Sequence, residues 1–115
     1  FVMKHHERRV DDVVIVELKG KLTLGGGDAQ LRQIVNDLLD RGEKKILLDL
    51  GGVGYMDSAG TGELVAAYLS ASNKGAEVKV LNLTAKTREL LQFTQLITVF
   101  EDYNEVAEAV HSFKQ

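Results

Sequence analysis

Residues 45–62, KILLDLGGVGYMDSAGTG, decide the fold, because a strand pattern passes into a helix pattern within this stretch. The largely apolar run Lys45–Leu50 predicts a strand that helices cover on both faces, and helical spacing follows from Glu63 to Lys74. Asp57 has the side chain of a helix N-cap, able to accept a bond from a backbone N–H shortly past it. Ser58 then falls in the first turn, where N–H groups are unpaired and the helix dipole is positive. The stretch therefore predicts a junction that presents the Ser58 hydroxyl to another protein.

Two strands and a helix are predicted ahead of this junction. The second half of the segment Phe1–Val10 is charged, as suits an edge strand. The mostly β-branched run Val13–Leu18 predicts an internal strand, joined to the first as an antiparallel hairpin. Asp28 is expected to cap a helix that ends at a left-handed Gly42. The segment Gly51–Gly54 predicts a turn of the backbone towards the junction.

The rest of the chain alternates in the same way. The helix after the junction is expected to bury Leu64, Val65 and Leu69 and to stop at Gly75, before a strand over Glu77–Leu81. Thr84 is predicted to cap the next helix, which carries Leu90, Leu91 and Phe93. A short last strand is predicted at Ile97–Phe100, and a closing helix from Tyr103 to Lys114. The order β-β-α-β-α-β-α-β-α predicts a single α/β domain over residues 1–115, with a mixed sheet of four or five strands and about four helices. The N-terminal hairpin is antiparallel in this prediction, and the βα units after it are parallel.

Composition narrows the class of protein. The formal net charge of −3 argues against non-specific binding to nucleic acid. The absence of cysteine excludes disulfides and thiolate metal sites, which fits a reducing cytoplasm. No apolar run approaches the roughly 20 residues that cross a membrane, so direct membrane insertion is not expected. We expect a cytoplasmic protein without a cofactor.

Motifs of enzymes and metal sites are incomplete. A nucleophile elbow needs Gly-x-Ser-x-Gly, but Met56 stands where its first glycine should be. Lys21 precedes the glycines Gly25–Gly27, whereas a phosphate-binding P-loop needs its lysine after them. Adjacent histidines such as His5 and His6 point to opposite faces of a strand, so they are expected to be surface residues rather than metal ligands. We therefore expect neither catalytic residues nor a metal site.

The motif Asp57–Gly60 after one hydrophobic strand, with Gly20–Leu22 after an earlier one, resembles the STAS domain. The resemblance runs from about Val13 to Val110, and the best-known members are bacterial anti-sigma-factor antagonists. It implies that Ser58 is phosphorylated by a serine kinase that is also the anti-sigma factor. The residues that it places in the partner-binding surface are Thr23, Met56, Asp57, Ser58, Ala59, Gly60 and Thr61. Thr23 stands where the family often has an aspartate.

Two kinds of function remain open. In the first, the unphosphorylated chain binds the anti-sigma factor, and a phosphate on Ser58 ends binding by adding about −1.5 to −2 charges to the docking surface. In the second, the chain is a structural STAS subunit of a signalling assembly or of a lipid or anion transport system, and its serine is never phosphorylated. A small-molecule sensor is disfavoured, because no aromatic cluster predicts a pocket. A homodimer is compatible with either function.

Overall fold

A computed structural model describes residues 3–113, in which five strands form one mixed sheet. The strands, in both chain and spatial order, are β1 (Lys4–Val10), β2 (Val13–Leu22), β3 (Lys45–Met56), β4 (Glu77–Leu81) and β5 (Asp102–Tyr103). The helices are α1 (Gly27–Asp40), α2 (Ser58–Asn73), α3 (Ala85–Phe93) and α4 (Val106–Ser112). Strands β1 and β2 pair antiparallel, and every later pairing is parallel. The predicted fold class is confirmed, with β2 inside the sheet as expected.

The two faces of the sheet bury separate apolar clusters. Val14 and Val16 of β2 pack into the larger cluster, together with apolar side chains of α1, α2 and α3. Val13 and Ile15 point the other way, into a smaller cluster closed by α4. This alternation is the period of two that a strand covered on both faces should have. Three helices therefore lie on one face and α4 lies on the other.

Strand β3 is longer than its sequence predicts, because Gly51–Gly54 continues the strand instead of turning. Pairing with β2 persists through this segment, with a register shift near Gly52, which pairs with Lys19. A Cβ at Gly52 would lie 2.7 Å from the carbonyl oxygen of Leu18, so the glycine permits a close approach of the two strands. The prediction of a turn was wrong, since glycine here serves contact between strands.

The start of α1 also differs from expectation. Gly26, not Asp28, occupies the N-cap position, and as a glycine it has no side chain to cap the helix. Asp28 is buried in the first turn, where its Oδ1 accepts the N–H groups of Gly26 (3.1 Å) and Ala29 (2.8 Å). The carboxylate therefore braces the loop ahead of the helix. The predicted helix end is confirmed, since Gly42 has a φ of +85°.

The C-terminal elements follow the predicted order with shifted bounds. Residues Ile97–Val99 form a 3-10 helix, and the last strand is Asp102–Tyr103, so the strand predicted at Ile97–Phe100 was wrong. The last strand forms where it can pair with β4: the N–H of Val80 in β4 donates to the carbonyl of Glu101 at 3.1 Å. Tyr103 thus belongs to the sheet, and the closing helix starts later, at Val106. The predicted helix end at Lys114 lies outside the described residues.

Two predictions about helices have opposite outcomes. The expected cap of α3 is confirmed, since Thr84 Oγ1 accepts the N–H of Thr87 at 3.2 Å. The expected burial of Leu69 was wrong, because 54% of its surface is exposed. The expected burial of Leu64 is confirmed, Val65 is partly buried, and Ala67 and Ala71 complete the core face of α2. Within residues 3–113, each helix falls short of the length and apolar character that crossing a membrane requires.

Candidate functional site

The junction between β3 and α2 is fixed by both carboxylate oxygens of Asp57. Oδ1 accepts the N–H of Gly60 at 2.9 Å, which is the predicted N-cap bond of α2. Oδ2 accepts the N–H of Leu24, which lies in the loop between β2 and α1, at 3.0 Å. One side chain therefore joins the start of a helix to a loop that is 33 residues away in the sequence.

These bonds also keep Asp57 ionised. The N–H of Leu24 lowers the pKa of Asp57 most, and the N–H of Gly60 lowers it further, since both bonds favour the charged form. The junction therefore carries a fixed negative charge beside Ser58 at neutral pH.

Ser58 opens α2 with an exposed side chain. Its hydroxyl has no hydrogen-bond partner within residues 3–113. It lies in the first turn of a 16-residue helix, where the helix dipole favours negative charge. The hydroxyl is chemically free to receive a phosphoryl group and is open to a protein that would deliver one.

Three of the residues predicted to bind a partner lie beneath the junction. Met56 and Thr61 have buried side chains, and Thr61 Oγ1 donates to the carbonyl of Asp57 at 3.0 Å. Gly60 is buried against β2, where a Cβ would lie 2.0 Å from the carbonyl oxygen of Leu22. These three residues therefore support the junction from below.

The other four predicted residues reach the surface. Ser58 is exposed, and Thr23, Asp57 and Ala59 are half-buried. The bond from Leu24 to Asp57 brings the segment that follows Thr23 next to the junction, as the predicted surface requires. We call Thr23, Asp57, Ser58 and Ala59 the Ser58 surface.

An ion pair links the two helices behind the Ser58 surface. Arg32 of α1 donates from Nη2 to Glu63 Oε1 of α2 at 2.6 Å and from Nε to the same oxygen at 3.0 Å. Both helices also bury apolar side chains in the larger cluster. The two elements that flank the surface are thus held in one orientation.

Three exposed apolar residues near the site were not among the predicted partner-binding residues. Leu24 and Tyr55 are 75% and 54% exposed, and Phe93 of α3 is 86% exposed. The sequence could have indicated Leu24 and Tyr55 as partner-binding residues. Leu24 directly follows Thr23, and Tyr55 lies two positions before Asp57. Phe93 could not have been indicated in the same way, since apolar residues in a short helix predict burial.

Known proteins are similar over nearly the whole chain. A family model described as "Mlab, STAS domain" matches residues 5–100. The anti-sigma F factor antagonist of Paenibacillus polymyxa is 30% identical over 105 residues, which cover 90% of this chain and 86% of that protein. The crystal structure of the Thermotoga maritima protein TM1081 is 27% identical, with a TM-score of 0.87 over 96% of this chain and 95% of that one.

The same fold occurs in a protein whose structure has been determined in a phosphorylated form. The structure of the phosphorylated Bacillus cell fate determinant SpoIIAA has a TM-score of 0.71, over 96% of this chain and 99% of that one. Its 20% identity supports likeness of fold alone. The family model spans most of the chain and the Paenibacillus relative agrees with it, so the chain belongs to the STAS domain family, in the group of the anti-sigma-factor antagonists.

Proposed function

We propose that this protein is a regulatory docking module that binds an anti-sigma factor through the Ser58 surface and is released when Ser58 is phosphorylated. The observation that carries the proposal is the exposed hydroxyl of Ser58, which has no partner among the described residues, on a turn that Asp57 holds from two sides. The name of the Paenibacillus relative supports the choice of partner. The partner is itself the serine kinase, and the encounter takes place in the cytoplasm, where ATP is available.

Pre-organisation makes the Ser58 surface suitable for docking. Asp57 already bonds the loop at Leu24 and the helix at Gly60, so a partner need not order either element. Ordering flexible groups is one of the main costs of association. The surface therefore offers its binding free energy without that loss.

Phosphorylation changes docking far more than it changes the fold. A phosphate on Ser58 adds about −1.5 to −2 charges next to the carboxylate of Asp57. In the free protein, water solvates these charges, and the positive end of the α2 dipole favours them. In the complex, the partner would have to cover them, and burial of unpaired charge costs several kcal/mol. In this proposal the module is a substrate of the kinase rather than an enzyme.

The experiment captures partners in the native cell with three baits: the wild-type chain, Ser58→Ala and Ser58→Asp. We expect one protein with a kinase fold to be retained by wild type and by Ser58→Ala and to be lost from Ser58→Asp. That protein, once purified and given ATP, should add one phosphate to wild type and none to Ser58→Ala, as measured by intact mass. A protein retained equally by all three baits would contradict the proposal and would favour a structural STAS subunit.

A further inference from the structure

An open groove separates α3 from the end of β3. The residues that line it are Tyr55, Met56, Lys86, Glu89, Leu90 and Phe93, and its volume is about 370 Å³. Tyr55 and Met56 directly precede Asp57 and Ser58 in the chain, so the groove begins where the Ser58 surface ends.

Exposed apolar side chains concentrate around this end of the molecule. Among residues 3–113, the large apolar side chains with high exposure are Leu24, Tyr55, Leu69 and Phe93. Leu24 bonds to Asp57 through its N–H, and Tyr55 shares the groove with Phe93. Such a concentration marks an interaction surface, and buried aromatic anchors carry much of the free energy of protein association. Only Leu69 lies outside this region.

Helix α3 uses one face for the core and another for the groove. Thr87 and Leu91 are buried, one helical turn apart. Lys86, Glu89, Leu90 and Phe93 follow the spacing i, i+3, i+4, i+7, so they share a second face. Within the described chain, neither Lys86 nor Glu89 forms an ion pair, which leaves one charge of each sign beside the aromatic residues.

The Ser58 surface is too small to be a complete interface. It has four residues, whereas a stable interface takes about 20–30 residues and about 800 Å² from each partner. The contact must therefore extend over neighbouring residues, and the groove is the adjoining area with aromatic side chains.

We propose that the protein that binds the Ser58 surface also covers this groove, inserting an apolar side chain between Tyr55 and Phe93. An acidic side chain of the partner faces Lys86 and a basic one faces Glu89. This inference rests on the proposed function for its partner and adds the second contact area, the apolar anchor and the charges beside it. The open shape of the groove suits a protein segment. Because Met56 lines the groove and directly precedes Asp57 and Ser58, we assign that segment to the partner that binds the Ser58 surface.

Site-specific cross-linking tests this in the native cell. The photoreactive residue p-benzoylphenylalanine is placed in the full chain at position 24, 93 or 69. Positions 24 and 93 should cross-link to the same protein, whereas position 69, which is exposed on α2, should not. Both adducts should disappear when Ser58→Asp is added.

The purified cross-linked protein then serves as the probe in a titration. Phe93→Ser and Tyr55→Ser should each weaken binding at least tenfold, while Leu69→Ser should leave binding unchanged. Leu69 is the matched control for Tyr55, because both are 54% exposed. None of the three variants should melt at a clearly lower temperature, since each replaced residue is more than half exposed.

The outcomes separate this inference from the proposed function. An adduct at position 24 without one at 93 would overturn the groove contact and leave docking at Ser58 standing. An adduct at 93 that survives Ser58→Asp, or that joins two copies of this chain, would also overturn it. The absence of any adduct at both positions would contradict the two proposals together.

Discussion

Thr23 illustrates how one position can keep its structural role while its side chain changes. The family often has an aspartate here, but the contact that this position makes is through the backbone: its carbonyl accepts the N–H of Asp28 at 3.1 Å. The neighbouring N–H of Leu24 then remains free to bond Asp57. The geometry of the loop therefore does not require a carboxylate at position 23.

Asp57→Asn should reduce the amount by which the free energy of unfolding falls in acid. The pKa of Asp57 is lowered in the folded protein, so its contribution is complete above its ordinary value of about 3.9 and is lost as the pH falls through the lower folded value. An amide does not titrate, and its NH₂ group cannot accept the N–H of Leu24. We expect the variant to be less stable at pH 7 and to lose less stability between pH 5 and pH 2, as measured by urea unfolding. Parallel acid curves for the two proteins would refute this role of Asp57.

Gly60→Ala and Gly62→Ala should change stability in opposite directions. Alanine normally stabilises a helix by about 1 kcal/mol over glycine, and a Cβ at Gly62 would meet nothing within 4 Å. At Gly60 the Cβ would lie 2.0 Å from the backbone of Leu22, so α2 must shift and overpacking costs about 1–3 kcal/mol. Chemical denaturation of both variants measures the difference. Stabilisation by both substitutions would mean that α2 does not lie as close to β2 as described.

At the scale of elements, Lys79 joins α4 to the sheet. It lies on β4 and is only 4% exposed. Its Nζ donates to Ser112 Oγ at 3.0 Å, pairs with Glu101 at 3.2 Å, and lies 4.7 Å from the centroid of the Phe113 ring. Each polar contact of the ammonium is thus made at the end of α4 or on the segment that leads into β5.

Lys79→Met should keep the stability of the protein within about 1 kcal/mol of wild type. Burial of the Lys79 ammonium costs desolvation that can offset its attraction to Glu101, whose side chain is 62% exposed, and methionine retains the apolar stem. Lys79→Ala is the matched variant: it leaves a cavity as well, so it should cost about 2 kcal/mol or more. Urea unfolding ranks the three proteins. A Lys79→Met variant as unstable as Lys79→Ala would show that the ammonium, rather than the stem, holds α4.

The order of elements was predictable from the sequence, but several bounds were not. Apolar runs identify the central strands, and the helical spacing of Leu31, Val35, Leu38 and Leu39 identifies α1. The glycine-rich end of β3 was misassigned, since its pairing depends on contact with β2 that no local pattern reveals. The strand at Asp102–Tyr103 was also missed, because two residues carry no periodicity and β4 fixes their place.

The candidate site likewise has features that the local sequence predicts and features that depend on contacts between distant segments. Local residue chemistry predicts the cap at Asp57 and the exposed hydroxyl at Ser58, and the structure agrees with both. The bond from Leu24 to Asp57 joins distant segments, so it could not be read from either one. Burial of Met56, Gly60 and Thr61 likewise depends on how α2 lies against β2.

At the scale of the whole molecule, the fold and the docking surface should respond differently to charge at Ser58. In Ser58→Asp, the dipole of α2 favours the new carboxylate by about 0.3–1 kcal/mol. Repulsion by Asp57 opposes this, and solvent reduces it to a similar size or less. The two effects nearly cancel, so the melting temperature of the isolated protein should hardly change. A large fall in melting temperature would mean that Ser58 is needed for folding.

The most direct test of docking through Ser58 is a calorimetric titration of the partner captured by the wild-type chain. The titrated proteins are wild type, Ser58→Ala, Ser58→Asp and wild type phosphorylated at Ser58, each first shown to melt at the same temperature. Wild type and Ser58→Ala should bind alike, and the two charged forms should bind at least tenfold more weakly, a loss of about 1.4 kcal/mol or more. Equal affinity across all four proteins would contradict the account.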